Sequence, residues 1–416
     1  MKDKKIYLGV GLVFLLLMTV SLSYAYFSTS VKGNDNAKDV IVNAGTLSLI
    51  YTDGPEIKVE NIRPGKTITK EVTVKNTGTL DTNYNIVWQS LVNEITNDEL
   101  VLSATCQRLN SAGTVEGTCG SISQAPISGT TIAKKISIES GITHKYTFTI
   151  LFKEINAVQN YNQGKKFNGV LGIEEYKAPN FATDSWSTII ANVKAGNGSE
   201  YAVGSTKEVN LGTTYGTHTL RIANTSTPSE CSGTGFSQTA CGFVLEFADI
   251  IDDYAMNDND DTNVGGWPAT SMRTFVNNDI YNALPSDLKS AIIDTTVVSS
   301  HGSTSGETNF TSTDKLYLLA PGEVYGDWKT NTSNGGPLYD TAKELTRTLD
   351  YYTAQGVTIS NYSGAIKKSG TNAVYWWLRA AYSDSSYYFY LVNINGDWRN
   401  VYAYNSNAVS PAFRLG

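Results

Sequence analysis

Two hydrophobic periods divide the chain. The early part alternates: Thr46-Leu47-Ser48-Leu49-Ile50, then Val59 and Ile62, the run Thr67 to Asn76, Tyr84 to Trp88, and His144 to Phe152. A period of two puts successive side chains on opposite faces of a strand. Gly, Pro, Asn and Asp turns separate these runs, among them Pro64-Gly65-Lys66, and Val170 to Ile173 supplies a closing strand. The pattern predicts an antiparallel β-sandwich of jelly-roll or immunoglobulin-like type over 26–177. Ala178-Pro179-Asn180 then marks a linker over 178–183.

From 184 to 416 the period changes several times. Trp186 opens a short helix through Ile189, Ile190 and Val193. Glu208 to Leu211, Thr219 to Ile222 and Gly242 to Phe247 read as strands. Ser271 is placed to cap a helix with Met272, Phe275, Val276 and Ile280 on one face, and Pro285 to start another carrying Leu288, Ile292 and Ile293. Lys315 to Leu319 reads as a strand and residues 320–372 as loops. The fold class is mainly β followed by an α+β domain.

The last forty residues carry the sharpest local signal. Asn395-Gly396 is flanked by alternating residues, the strongest short hairpin pattern, because a type I′ turn needs φ > 0 at both central positions. A two-residue turn pairs Ile394 with Asp397, Asn393 with Trp398, Leu391 with Asn400, Phe389 with Tyr402 and Tyr387 with Tyr404. Val392, Ile394, Val401 and Ala403 then share a core face, with Tyr388 also inward. Tyr387, Phe389, Asn393, Trp398, Asn400, Tyr402 and Tyr404 share the other face. Rigid rings beside amides make a recognition surface, to which the loop Tyr382-Ser383-Asp384-Ser385-Ser386 is adjacent. The competing reading is an ordinary hairpin whose aromatic face is covered by another layer, since strands favour aromatics. Trp376 and Trp377 alternate, which sends one to the core and the other toward a pocket; Arg379 is expected to pair with an acid such as Glu246 or Asp249.

At the start, Lys2, Lys4 and Lys5 precede an apolar run from Ile6 to Leu22 and then Ser23-Tyr24-Ala25. This is the layout of a secretory signal peptide over 1–25. The rival is an uncleaved anchor, for which the run is at the short end of a spanning helix. Either way the body lies outside the cytoplasm. Low charge (17%), a net charge of −7 and 25 tyrosines suit extracellular β-rich domains and argue against a nucleic-acid partner. Cys106 lies close to Cys119 and Cys231 to Cys241, without a Cys-x-x-Cys or a neighbouring His. Proximity predicts two local disulfides in an oxidising compartment.

Little points to chemistry. The acidic stretch Asp252 to Asp261 lacks the Gly and Glu positions of an EF-hand loop and reads as solvated. His144, His218 and His301 are scattered and have no Ser or Cys motif beside them. The expectation is no catalytic residue, no metal and no cofactor.

Ser21 to Ser28, with the sandwich-like segment after it, resembles the TasA/camelysin-like proteins, secreted components of Gram-positive biofilm matrix. At the other end, Trp376-Trp377-Leu378-Arg379, the aromatic hairpin and Asn407 to Leu415 resemble a domain family of Gram-positive surface proteins. So do Tyr201 to Gly204, Phe247 to Ile250, Gly265-Gly266-Trp267, Ser271-Met272-Arg273 and Asp314 to Leu319. That family looks like the C-type-lectin fold variant of formylglycine-generating enzymes and of the variable proteins of diversity-generating retroelements. Its closing phrase Gly-Val-Arg-Pro-Ala-Phe departs here at Ala408 and Ser410. No cysteine follows Cys241, so the cysteine-pair chemistry of formylglycine-generating enzymes does not carry over. The calcium-dependent sugar phrases Glu-Pro-Asn and Trp-Asn-Asp are missing as well.

Together these readings lead to a secreted or surface-displayed, adhesin-like protein of a Gram-positive-type bacterium. Its first domain is expected to be a stalk and its second a C-type-lectin-like domain binding a glycan or protein ligand on another cell or in the matrix. Under the retroelement resemblance, Tyr382 to Asn407 would be a diversified region. The membrane is met only through the signal or anchor segment. The alternative is a matrix-fibre component that self-assembles through the first domain, the mature N-terminal segment adding a strand to a neighbour.

Overall fold

The computed structural model describes residues 39–44, 47–54, 57–59, 64–162, 165–258, 260–331 and 335–416. The signal or anchor expectation (1–25), the mature start at Tyr26, and Ile62 lie outside them. Among the described residues, no helix is long and apolar enough to cross a membrane. The chain is mainly β and divides into two compact units, Met1–Lys177 and Ala178–Gly416.

Among its described residues the first unit has ten strands: β1 (Asp39–Ala44), β2 (Leu47–Thr52), β3 (Ile57–Val59), β4 (Thr67–Asn76), β5 (Thr82–Asn93), β6 (Leu100–Leu109), β7 (Val115–Pro126), β8 (Thr131–Ile138), β9 (Thr143–Phe152) and β10 (Phe167–Glu175). They form two antiparallel sheets, ordered β1-β2-β4-β9-β6-β7 and β3-β10-β5-β8. The alternation read from the sequence is the alternation of burial along β4 and β9. One core joins the sheets: Val72, Val74, Phe148 and Ile150 from the larger, and Tyr84, Ile86, Trp88, Leu171 and Ile173 from the smaller. Gly169 allows the tight fit, since a Cβ there would stand 2.5 Å from the Trp88 ring. A disulfide joins Cys106 to Cys119 across β6 and β7. Inside the core, the Tyr84 hydroxyl lies 2.8 Å from both His144 Nδ1 and the Tyr146 hydroxyl. Burial, with Arg108 next in effect, holds the His144 imidazole down at about 4.

The second unit contains β11 (Thr206–Asn210), β12 (Thr217–Asn224), β13 (Phe243–Phe247), β14 (Asp252–Ala255), β15 (Thr295–Ser299), β16 (Phe310–Asp314), β17 (Lys368–Ser369), β18 (Asn372–Ala373), β19 (Trp376–Ala381), β20 (Tyr388–Val392), β21 (Trp398–Tyr402), β22 (Ser406–Val409) and β23 (Ala412–Leu415). Its two larger sheets run β11-β12-β13-β23 and β14-β22-β19-β20-β21, and β15-β16 and β17-β18 form two small ones. A second disulfide closes Cys231 to Cys241.

Several expectations need correction. The segment 178–183 is part of this unit, because Phe181 is buried edge-on against Trp186 and Tyr201. The helix predicted at Ser271 is capped by Thr270, whose hydroxyl accepts from Arg273 N at 3.0 Å, and it passes into a π turn over Val276–Ile280. Met272, Phe275, Val276 and Ile280 are buried as expected. Lys315 to Leu319 forms no strand. It is an extended segment, buried from Leu316 on, that makes a single bridge with Ala412 at Tyr317. At its start a side chain serves the backbone, Asn277 Oδ1 accepting from Lys315 N and Leu316 N and Asn277 Nδ2 donating to Leu316 O. A continuous apolar run reports burial on all sides and says nothing about ladder pairing. Trp376 and Trp377 are both fully buried, because each indole N–H finds a carbonyl, Ala365 O at 3.0 Å and Tyr254 O at 2.9 Å.

Arg379 does not meet Glu246 or Asp249. It forms a doubly bonded pair with Glu323, both contacts at 2.6 Å and both side chains wholly buried. Glu246 is instead held by Arg221 (2.8 Å) and Lys367 (2.7 Å). Burial pushes the Glu246 carboxyl up, but these two cations outweigh it and leave it at about 2. Burial draws the Lys367 ammonium down to about 8 despite Glu246.

Removing one member of a buried pair leaves the other charge unpaired, so Glu323→Gln should cost about 3–5 kcal/mol in urea unfolding of the full chain. A loss below about 1 kcal/mol would show the pair to be dispensable. The His144 ring sets a pH dependence of the opposite origin. Its folded pKa lies below the unfolded value of 6.5, so between 6.5 and about 4 the unfolded chain binds more protons. Stability is therefore present above pH 6.5 and falls by up to roughly 3 kcal/mol as the pH drops through that window. Thermal unfolding against pH should show a shallower acid decline in His144→Gln than in the wild type.

Candidate aromatic recognition site

The Asn395-Gly396 turn exists, but not as two residues. Gly396 has φ 91° whereas Asn395 is not in the left-handed region. Gly396 N donates to Asn393 O at 2.9 Å and Asn393 N to Asp397 O at 2.8 Å. This is a three-residue loop, a type I turn closed by a left-handed glycine. Only glycine fits at 396, since a Cβ would strike Tyr362 O and the positive φ would strain it. Asn393 stabilises the loop from within, its Oδ1 accepting from Asn395 N and Asp397 N.

One extra loop residue moves the register by one and exchanges faces. The observed pairs are Tyr388 with Tyr402, Phe389 with Val401, Tyr390 with Asn400, Leu391 with Arg399 and Val392 with Trp398. Phe389 is thus a core residue, fully buried, and Asn393 is a buried loop residue. Tyr387 stands opposite Ala403, accepting its N–H at 2.9 Å; its ring is exposed on the alternate side from Tyr388. Tyr388, expected inward, lies on the face of Tyr402. Trp398, Asn400 and Tyr402 stay together there, and Tyr404 continues the row.

What forms is a graded aromatic ladder at the edge of the five-stranded sheet. It begins in the core, where Trp328 packs at 5.6 Å from Tyr390 and 5.8 Å from Trp398. Tyr390 meets Tyr382 at 5.3 Å, and Tyr382 meets Tyr339 at 5.0 Å. Tyr388 packs on Tyr402 at 4.7 Å and Tyr402 on Tyr404 at 5.7 Å. Tyr402 and Tyr404 end the row 41% and 55% exposed. Such contacts prefer tilted or edge-to-face geometry, which locks each ring against the next. Burial, then Asp384, raises the Tyr382 phenol above its ordinary value.

The loop Tyr382 to Ser386 is held by Asn263, which gave no signal in the sequence. Asn263 N donates to Ser386 O at 2.8 Å, and its Nδ2 to Ser385 O at 2.8 Å and Tyr388 O at 2.9 Å. Ser383 N donates to Tyr339 O at 3.1 Å and Ser303 N to Ser385 O at 3.1 Å. Asp384 is exposed, while Tyr382, Ser383 and Ser386 are half-buried. Trp328 and Tyr339 come from the stretch read as loops, where no period marks them; Tyr388 and Tyr390 were assignable only once the loop length was known.

For metals, the described residues offer one close group, Cys106, Cys119 and His144, one ligand atom of each lying within 4.8 Å of the others. As they stand the sulfurs are bonded to each other.

Residues 243–416 match a family described as a domain of unknown function (DUF6273), and residues 3–99 match the family described as camelysin metallo-endopeptidase. The second match bears out the camelysin-like resemblance of the N-terminal region. It also counts against the expectation of no enzyme, although the matched segment contains no histidine and the chain no His-Glu-x-x-His. Together with the two disulfides and the β-rich architecture, it fits a surface or matrix protein. No curated protein matches the chain. Among solved structures it is similar to the ASH/PapD-like domain (PapD-like domain 7) of human CEP192, with 16% identity, 37% of this chain and 81% of that one covered, and TM-score 0.15. It is also similar to the sporulation control protein Spo0M of Bacillus subtilis, with 10% identity, 49% and 74% covered, and TM-score 0.13. At those scores neither likeness bears on this fold.

The register has a direct test. Phe389→Ala should cost about 3–5 kcal/mol in chemical unfolding, as a core cavity does. Tyr402→Ala, which loses only the ring contacts with Tyr388 and Tyr404 at the exposed end of the row, should cost about 1 kcal/mol or less. Similar small losses at both positions would restore the two-residue turn.

Proposed function

We propose that the second unit is a ligand-binding domain of C-type-lectin-like type, carried on a β-sandwich stalk outside the cell. Its recognition surface is the face Tyr388, Trp398, Asn400, Tyr402 and Tyr404, flanked by Tyr382 to Ser386. The observation that carries the reading is the ladder itself: the exposed Tyr402 and Tyr404 rings packed in a row on the half-buried Tyr388, on a sheet edge and beside a loop tied down by Asn263. Pre-locked rings lose little entropy on binding. Sugar rings stack on tyrosine and tryptophan faces while the Asn400 amide bonds hydroxyls, so a glycan fits first and a protein ligand next. On this reading Phe389 and Asn393 shape the surface without touching ligand. Diversification of Tyr382 to Asn407 would act on ladder positions and leave Phe389 in the core.

A second reading, which the camelysin match over residues 3–99 supports, is that the first unit acts as a metallo-endopeptidase. Incubating the full chain with unstructured polypeptides, with and without zinc and chelator, distinguishes it: chelator-sensitive cleavage would establish it.

For the binding reading, the full chain is applied to glycan and protein arrays beside two variants. Tyr388→Ala with Tyr402→Ala should abolish specific hits, whereas Tyr387→Ala should retain them. Hits retained by the double variant, or no hits from folded protein, would remove the ladder as a ligand site.

A further inference from the structure

Cys119, Cys106 and His144 belong to three neighbouring strands of one sheet, β7, β6 and β9 respectively. Cys106 lies opposite Tyr146 on β9, and Arg108, two residues further along β6, lies opposite His144. This places the imidazole beside the disulfide, with a ligand atom of each of the three residues within 4.8 Å of the others. Cys106 and His144 are buried and Cys119 is half-buried, so the group opens toward solvent on the Cys119 side.

The ring of His144 is already oriented. Tyr84 engages its Nδ1 at 2.8 Å, and the Tyr84 hydroxyl is in turn 2.8 Å from that of Tyr146. A hydrogen bond at one imidazole nitrogen is how metal-binding histidines are aimed and their tautomer set, leaving Nε2 for a metal. Arg108, opposite His144, is balanced by Glu116 and Glu139, each at 2.5 Å.

We infer that Cys106, Cys119 and His144 form a redox-gated site for a thiolate-preferring divalent ion, zinc by preference, closed while the disulfide is intact and opened by its reduction. A thiol or phosphine reductant supplies two electrons to the sulfur–sulfur bond; a thiol reductant leaves as its own disulfide, and a phosphine as its oxide with oxygen from water. Each cysteine sulfur takes a proton. Binding of the ion then displaces both thiol protons, giving two thiolates and one neutral imidazole, with water in the fourth, solvent-facing position. Three protein ligands and an open position are an ordinary zinc arrangement. This inference is independent of the aromatic ladder and of the matched segment 3–99.

The test uses the full chain reduced with a phosphine under anaerobic conditions, with cobalt(II) as the optical probe and zinc as its competitor. One equivalent of cobalt should give thiolate-to-metal charge transfer and tetrahedral d–d bands, which zinc removes. The unreduced protein should give neither. A Cys231→Ser, Cys241→Ser variant should keep the full signal, since the other disulfide is not involved. His144→Gln should weaken cobalt binding at least tenfold. An unchanged signal in His144→Gln, a signal lost with Cys231 and Cys241, or no cobalt spectrum in the reduced protein would overturn the assignment. Loss of native near-ultraviolet circular dichroism on reduction would overturn it too, because the site needs the strands in register.

Discussion

The second unit depends on a charge that water never reaches. Stripping a guanidinium and a carboxylate of solvent costs several kcal/mol per ion, and Coulomb attraction repays that only when every remaining donor and acceptor is used. Arg379 and Glu323 meet this condition. Beyond their mutual contacts, Arg379 donates to Val298 O at 3.1 Å, Leu318 O at 2.8 Å and Thr239 Oγ1 at 3.2 Å. Glu323 accepts from Thr239 Oγ1, from Thr346 Oγ1 at 2.8 Å and from Ala320 N at 2.9 Å. One pair thus joins the disulfide-closed loop, β15, the buried segment before Leu319 and β19. It also explains an irregularity in the sheet. β19 leaves register with β20 between Trp377 and Ala381, and there Arg379 N donates to Leu319 O.

A second buried network works in the same way around Glu246. Arg221 and Lys367 neutralise it, and the Tyr352 hydroxyl donates to it at 2.9 Å. Ser410, which departs from the arginine of the closing phrase, is buried within bonding distance of both Lys367 Nζ and Phe247 O, at 2.7 Å each. A small hydroxyl there leaves room for the Lys367 side chain to complete the network. These two polar centres hold the sheets from which the aromatic ladder projects, so the exposed rings rest on a framework with little freedom to repack.

The first unit is organised differently. Apolar faces from its two sheets meet; a buried Lys70–Asp53 pair at 2.7 Å is one polar exception, and the Tyr84–His144–Tyr146 chain is another. That chain lies beside the disulfide, which is why the same small region carries both an acid-sensitive group and the cysteine pair.

The sequence by itself determined whatever depends on local period and near neighbours. The strands over Thr67 to Asn76, Tyr84 to Trp88 and His144 to Phe152 were legible because alternation is a property of the strand alone. The disulfides were legible because the short spacings of Cys106 with Cys119 and Cys231 with Cys241 already hold each pair close. The presence of a turn at Gly396 was legible for the same reason. Only the tertiary structure decided what depends on distant partners. Whether the turn took two or three residues was decided by Asn393, Asp397 and the approach of Tyr362, and that single residue exchanged Phe389 for Tyr388 on the aromatic face. The partner of Arg379 could not be read from the chain, because Glu323 is brought to it by burial and carries no local mark. Asn263, Trp328 and Tyr339 were illegible for the same physical reason: a side chain that supports a site from a distant loop leaves no period in its own neighbourhood.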